Sequence, residues 1–155
     1  MTWRSSLRSA AGEMAYVTHE LIELSEWRGL AHDSSEGASV EFLGMVRGQE
    51  QGYPITHLFY EAYEPMAERV IGQLIQQARQ RWVLNRVWIR HRVGRVDVGQ
   101  LAVVVGVRAA HREEAFEACR FLIDTIKRDA PIWKAAIGPD GVRLEPSCAH
   151  GCAAH

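Results

Sequence analysis

Twice along this chain one strand-like segment follows another with no helix between them. Residues 38–46 alternate as a strand does, and 55–63 form the next one across the polar loop Gly48-Gln49-Glu50-Gln51-Gly52. Residues 86–93 and 101–109, both rich in β-branched side chains, are joined only through Gly94-Arg95-Val96-Asp97-Val98-Gly99. Parallel neighbours need a crossover of a dozen or more residues, whereas antiparallel ones can be joined by a short turn. Two such direct pairs exclude a doubly wound parallel sheet and predict an α+β fold with a mixed or antiparallel sheet.

The remaining periodicity supplies three main helices. A strand at 15–21 leads into a helix at 22–30. Glu64-Pro65 opens a second helix, with proline in the first turn where its missing donor costs nothing. That helix is expected to reach about Arg81, burying Met66, Val70, Leu74 and Ala78 at helical spacing. The third begins near His111, with Glu113 and Glu114 at its positive end, and is expected to bury Phe116, Cys119, Leu122, Ile123 and Ile126. A short edge strand at 142–145 closes the order, after the turn Gly138-Pro139-Asp140-Gly141.

With 155 residues and 47% hydrophobic side chains, the chain is expected to form one core, at 14–146. The net charge of −1 excludes the global basic field of a nucleic-acid binder, so any anion recognition is local. No apolar run approaches the roughly 20 residues that span a bilayer, so no membrane role is expected. Residues 1–13 contain serines and arginines without an apolar signal region and are expected to be a flexible extension in a cytoplasmic protein. Residues 147–155 form a tail in which Cys148, His150, Cys152 and His155 offer four soft ligands, but their spacing matches no zinc motif. No cofactor is expected. Cys119, the remaining cysteine, reads as a small core residue.

The segment Lys127-Arg128-Asp129-Ala130-Pro131-Ile132-Trp133-Lys134 carries the strongest chemical signal. Pro131 cannot continue a helix and pushes Ala130 toward extended backbone. The chain therefore turns between the two lysines, and a turn packed down by Ile132 and Trp133 would aim both ammonium groups into one anion pocket. A second basic pair, His111-Arg112, sits at a strand-to-helix junction where free backbone donors favour an anion. Arg47 ends a strand beside the glycine-bounded loop. His111 and Lys127 lie sixteen residues apart on one helix, roughly 24 Å at about 1.5 Å per residue. A straight helix cannot bring both ends to one small ligand, so there are either two sites or a dimer with composite ones.

Five motifs in one order extend this reading. They are Gly-Ala-Ser-Val-Glu-Phe-Leu-Gly-Met-Val-Arg (37–47), Tyr-Glu-Ala-Tyr-Glu-Pro-Met-Ala-Glu (60–68), His-Arg-Val-Gly (91–94), Ala-His-Arg (110–112) and the stretch from Lys127 to Lys134. Together they resemble the large catalytic subunit of molybdopterin synthase, the MoaE-type family. The resemblance implies an α/β hammerhead-type fold and a homodimer. It also implies a small ubiquitin-like sulfur-carrier partner of the MoaD type, ending in Gly-Gly and activated as a thiocarboxylate. The implied reaction moves sulfur from that terminus into cyclic pyranopterin monophosphate, forming the molybdopterin dithiolene. By motif, Lys127 and Lys134 are the implied catalytic lysines, and Arg47, His111 and Arg112 the implied substrate-binding residues. Where the family commonly continues after Lys134 with a basic residue and a glutamate, this chain has Ala135 and Ala136. That departure motivates a rival reading as a catalytically impaired paralogue. A non-enzymatic anion- or metal-binding module is the rival from another class.

Overall fold

The computed structural model describes residues 15–144 and the backbone of 147–148. In chain order the elements are β1 (Val17–Thr18), α1 (Ser25–Arg28), β2 (Ala38–Met45), β3 (Gln49–Glu50), β4 (Tyr53–Pro54), β5 (His57–Ala62) and α2 (Glu64–Arg81). There follow β6 (Arg86–Arg92), β7 (Gly94–Asp97), β8 (Leu101–Ala109), α3 (Arg112–Asp129), β9 (Ile132–Ile137) and β10 (Ser147–Cys148). One sheet has the order β1-β6-β8-β2, the other β10-β9-β5-β7, and β3-β4 pair only with each other. Among the described residues only the β1–β6 pairing is parallel. The α+β architecture is the predicted one; of the two successive strand pairs, β6 and β8 pair antiparallel, whereas β2 and β5 fall in different sheets.

Strand β8 shows why the first sheet is buried on both faces. Val103, Val105, Val107 and Ala109 join the main core, while Val104 on the opposite face joins Trp27 and Trp88 in a second cluster. The period of two places alternate residues on opposite faces. Helix α3 packs across β2 and β8 on the main-core face and against α2. On the other side, α1 lays the indole of Trp27, 1% exposed, over Gly106.

Several boundaries differ from expectation. The glycine-bounded linker at 94–99 contains a strand of its own, β7, and Gly94 (φ +86°) leads into it directly from the end of β6. The helix at 22–30 shrinks to the single turn of α1. Helix α2 has the predicted bounds, but Ala67, Ile71, Leu74, Ile75 and Ala78 are its buried residues, and Met66 lies partly exposed. In α3, Phe116 is 62% exposed rather than buried. An apolar side chain on the helix margin satisfied the spacing pattern without facing the core. Cys119 is buried as expected, and burial raises its thiol pKa to about 11, which keeps it protonated and inert.

The segment after α3 departs furthest from the sequence pattern. Pro131 does end the helix, and Ala130 is extended (φ −70°, ψ 132°). The chain then enters β9 at once rather than forming a packed turn. Ile132 is buried, but Trp133 is 44% exposed opposite Glu61 of β5 and does not pack the lysines down. At 142–144 only Arg143 bridges to Ile137, and no strand forms there. Cys148 contributes backbone to β10, while its side chain and residues His150, Cys152 and His155 lie outside the described residues. Among the described residues no cluster of metal ligands occurs, and no helix is long and apolar enough to cross a membrane.

Candidate active site

The reversal from β8 into α3 sorts the basic residues into two groups. Strand β2 pairs antiparallel with β8, so Ala38 lies beside Ala109 and Met45 beside Leu101. Helix α3 starts at the Ala109 end and runs back along the sheet. His111 and Arg112 therefore stand at one end of the layer, and Lys127 and Arg47 at the other. At 18 residues α3 is about 27 Å long, so the two groups are separate within one chain, as the spacing argument required.

At the first end, His111 is the extended N-cap residue and makes no side-chain capping bond, leaving first-turn donors open. Gly37, Ala110, His111, Arg112, Glu113 and Glu114 line a shallow concavity there. Gly37 is required by close approach: a Cβ would stand 2.2 Å from the Ala110 carbonyl oxygen. His111 and Arg112 are both exposed.

At the second end the two lysines border one buried aromatic pair. Lys127 lies in the last turn of α3, where the helix dipole favours a cation. Its Nζ sits 5.9 Å from the centroid of the Phe42 ring. Lys134 stands directly opposite Tyr60 on the β5–β9 ladder, and the Tyr60 ring meets His91 edge-on at 5.1 Å between centroids. His91 in turn feels the Lys127 charge. Thus Lys134, Tyr60 and His91 adjoin one another across the two sheets, and Lys127 lies close enough for its charge to act on His91. Spacing in the sequence gave no sign of His91 or Tyr60 as linking groups, because they are core residues within ordinary strand patterns.

The charges at this end are unequal. Lys134 Nζ pairs with Glu50 Oε1 at 3.0 Å, with both side chains less than one fifth exposed. The carboxylate beside Lys134 thus comes from the β3–β4 hairpin, not from the segment after it, where Ala135 and Ala136 are buried in β9. Lys127 has no carboxylate partner among the described residues. Arg47, just before the hairpin, is exposed. This leaves positive charge in excess beside a dry floor, the condition in which an anion is bound most strongly.

Burial holds His91 neutral. It pushes the imidazole pKa down from 6.5 to about 4 and Lys127 adds to the depression, against the opposing effect of the hydrogen bond that Nδ1 donates to the Arg92 carbonyl at 2.8 Å. Burial likewise raises Tyr60 to about 12, with Glu50 adding to the shift. Both groups are therefore uncharged at neutral pH. The unfolded chain protonates His91 near pH 6.5 while the folded one resists until about pH 4. Stability is therefore full above pH 6.5 and falls as pH drops through that window, by roughly 3 kcal/mol in total from this group. Urea unfolding at a series of pH values measures the slope, and His91→Gln is expected to flatten it. An unchanged slope in that variant would remove His91 as its source.

Comparisons with known proteins bear on the same residues. The family model described as MoaE protein matches residues 17–129. The molybdopterin synthase catalytic subunit of a Nostoc species is 49% identical over 126 residues, covering 81% of this chain and 76% of that protein. The one from Escherichia coli is 41% identical over 118 residues, covering 76% and 79%. Among solved structures, a molybdopterin synthase from Staphylococcus aureus superposes with a TM-score of 0.77 at 32% identity, covering 84% of this chain and 96% of that one.

Proposed function

This chain belongs to the MoaE family and is an enzyme of molybdenum cofactor biosynthesis; from that premise we propose which residues perform its chemistry. The reaction is transfer of sulfur to cyclic pyranopterin monophosphate from the C-terminal thiocarboxylate of a small ubiquitin-like carrier, forming the molybdopterin dithiolene. The carrier's sulfur is the nucleophile, so this chain supplies charge and position rather than a serine or cysteine of its own. The observation that carries the assignment is the Lys127 ammonium, without a carboxylate partner among the described residues, near the neutral His91–Tyr60 floor.

A lysine 4 Å from a unit anion contributes about 4 kcal/mol at an effective dielectric near 20. Lys127 meets the thiocarboxylate and the oxyanion that develops as sulfur leaves. Lys134 assists proton transfer or holds the pterin, and Arg47 adds a further cation at the same end. His111 and Arg112 bind the substrate's anionic groups from the far end of α3. Because one chain cannot bring both ends together, the protein works as a homodimer in which each site takes Lys127 from one chain and His111-Arg112 from the other. The setting is the cytoplasm. Residues 14–146 act as one catalytic domain between the extension at 1–13 and the tail at 147–155.

Mixing two inactive variants tests the composite site. Lys127→Ala and Arg112→Ala subunits, denatured together and refolded, form heterodimers in which one of the two sites is fully wild type. Statistical pairing then restores about a quarter of the wild-type rate. Recovery no greater than the sum of the separate variants, or a fully active monomer by solution mass, would exclude the shared site.

A further inference from the structure

Glu50 stands out because nothing in the proposed reaction asks for an acid beside a catalytic lysine. The β3–β4 hairpin that carries it has two residues in each strand and pairs with neither main sheet. An isolated two-stranded hairpin is marginally stable by itself. Its tip is also strained: Gln51 adopts a left-handed φ of +50° before Gly52 at +82°, a conformation unfavourable for a non-glycine residue. Glu50 nevertheless reaches inward to Lys134 at 3.0 Å.

The pair has a physical reason in the free protein. Lys134 is mostly buried beside Tyr60, and a facing carboxylate offsets part of the hydration that its ammonium loses there. Glu50 therefore holds Lys134 in place. The same contact neutralises the lysine toward any incoming anion, since a matched pair presents little net field. An incoming oxyanion must take over the carboxylate's position if Lys134 is to serve it.

We propose that Glu50 is the internal counter-ion of Lys134, a positioning residue that gives way to the substrate's oxyanion as the β3–β4 hairpin lifts. The inference rests on the sulfur-transfer reading for the identity of that oxyanion, which is either the carrier's terminal carboxylate group or the phosphate of the cyclic pterin. Lifting is inexpensive because the hairpin joins no large sheet, and the interaction lost at Glu50 is replaced at Lys134 by the substrate. Glu50 thus sets affinity for anions at this end of the layer without touching the reacting atoms.

Hydrogen exchange at the backbone amides of residues 48–53 and of Ile55 reads the hairpin directly. It is measured on the wild-type protein alone, with carrier bearing its free Gly-Gly carboxylate, and with cyclic pyranopterin monophosphate. The ligand that replaces Glu50 accelerates exchange in this segment, and which of the two does so identifies the source of the oxyanion. Glu50→Gln exchanges quickly without ligand, and Glu50→Asp, which retains a carboxylate, stays slow. Glu50→Gln also tightens binding of the effective ligand by roughly three- to tenfold, because the competent state no longer has to be populated at the hairpin's expense. In a Lys134→Gln background the same substitution changes nothing. If neither ligand accelerates exchange, or if Glu50→Gln weakens binding, the proposal is wrong. Absence of dithiolene product from the wild-type protein would instead overturn the sulfur-transfer reading, while the exchange result would still decide the role of Glu50.

Discussion

Lys127→Ala is expected to lower the rate of sulfur transfer by about 10²- to 10³-fold, the loss typical when one preorganised charge or donor is removed from a developing oxyanion. The expectation follows from the position of Lys127, unpaired beside Phe42 and the neutral His91. No other described group supplies an unpaired ammonium at that point, since the Lys134 charge is opposed by Glu50. The loss should lie mainly in the chemical step, because the charge is worth most when the carrier's terminus becomes an oxyanion. Folding should be little affected: the Lys127 side chain is only partly buried and forms no ion pair among the described residues. A reconstituted assay with thiocarboxylated carrier and cyclic pterin, together with unfolding curves of the same preparation, separates the two. Full sulfur transfer by Lys127→Ala would dismiss its catalytic role. Lys127→Arg keeps the charge but spreads it over a planar fork, so partial activity is expected.

Gly106→Val is expected to destabilise the fold by about 4 kcal/mol, in the range for losing a buried tryptophan's packing. Gly106 lies mid-strand in β8, opposite Trp88 on β6 and Glu41 on β2. A Cβ there would stand 2.5 Å from Trp27 Cε2 and 2.8 Å from Cζ2. The indole has nowhere to retreat. It stacks on Trp88 at 6.3 Å between centroids, and Arg108 covers it at 4.7 Å while donating to the Trp27 carbonyl. Either Trp27 leaves its site or β8 moves away from α1, and both outcomes forfeit the cluster formed by Trp27, Trp88 and Val104. Denaturant unfolding followed by tryptophan fluorescence measures the change. A loss below about 1 kcal/mol, the ordinary scale of a single substitution, would show that this contact is easily relieved.

The part of the site that was legible without coordinates was carried by residues whose role depends on charge and local geometry. Lys127, Arg47, His111 and Arg112 stand at or beside element ends, and Lys134 follows closely on Pro131, so proline, glycine or a capping pattern marks them in one dimension. His91, Tyr60 and Glu50 were not legible. The first two lie within strands of ordinary pattern, and their meeting depends on how two separate sheets pack. Glu50 sits in a polar loop whose residue types alone do not say that one side chain turns inward.

The family resemblance and the structure agree on architecture, and the structure alters the weight of the Ala135-Ala136 departure. Those alanines are packed in β9, and the carboxylate at Lys134 arrives from the hairpin instead. An acid after Lys134 is therefore not needed to give this lysine a counter-charge.

What the sequence by itself determined is the class of fold and the separation of the two basic groups. Direct strand pairs forbid a parallel sheet, Pro131 ends the long helix, and a helix has a known rise per residue; each of these is a local constraint. What only the tertiary structure decided is which groups meet at the lysines and how each charge is balanced. His91 and Tyr60 lie between the influence of Lys127 and the side chain of Lys134, and among the described residues only Lys134 is paired with a carboxylate, that of Glu50. Those outcomes depend on sheet packing and burial, which bring together residues tens of positions apart and set their charge states by excluding water.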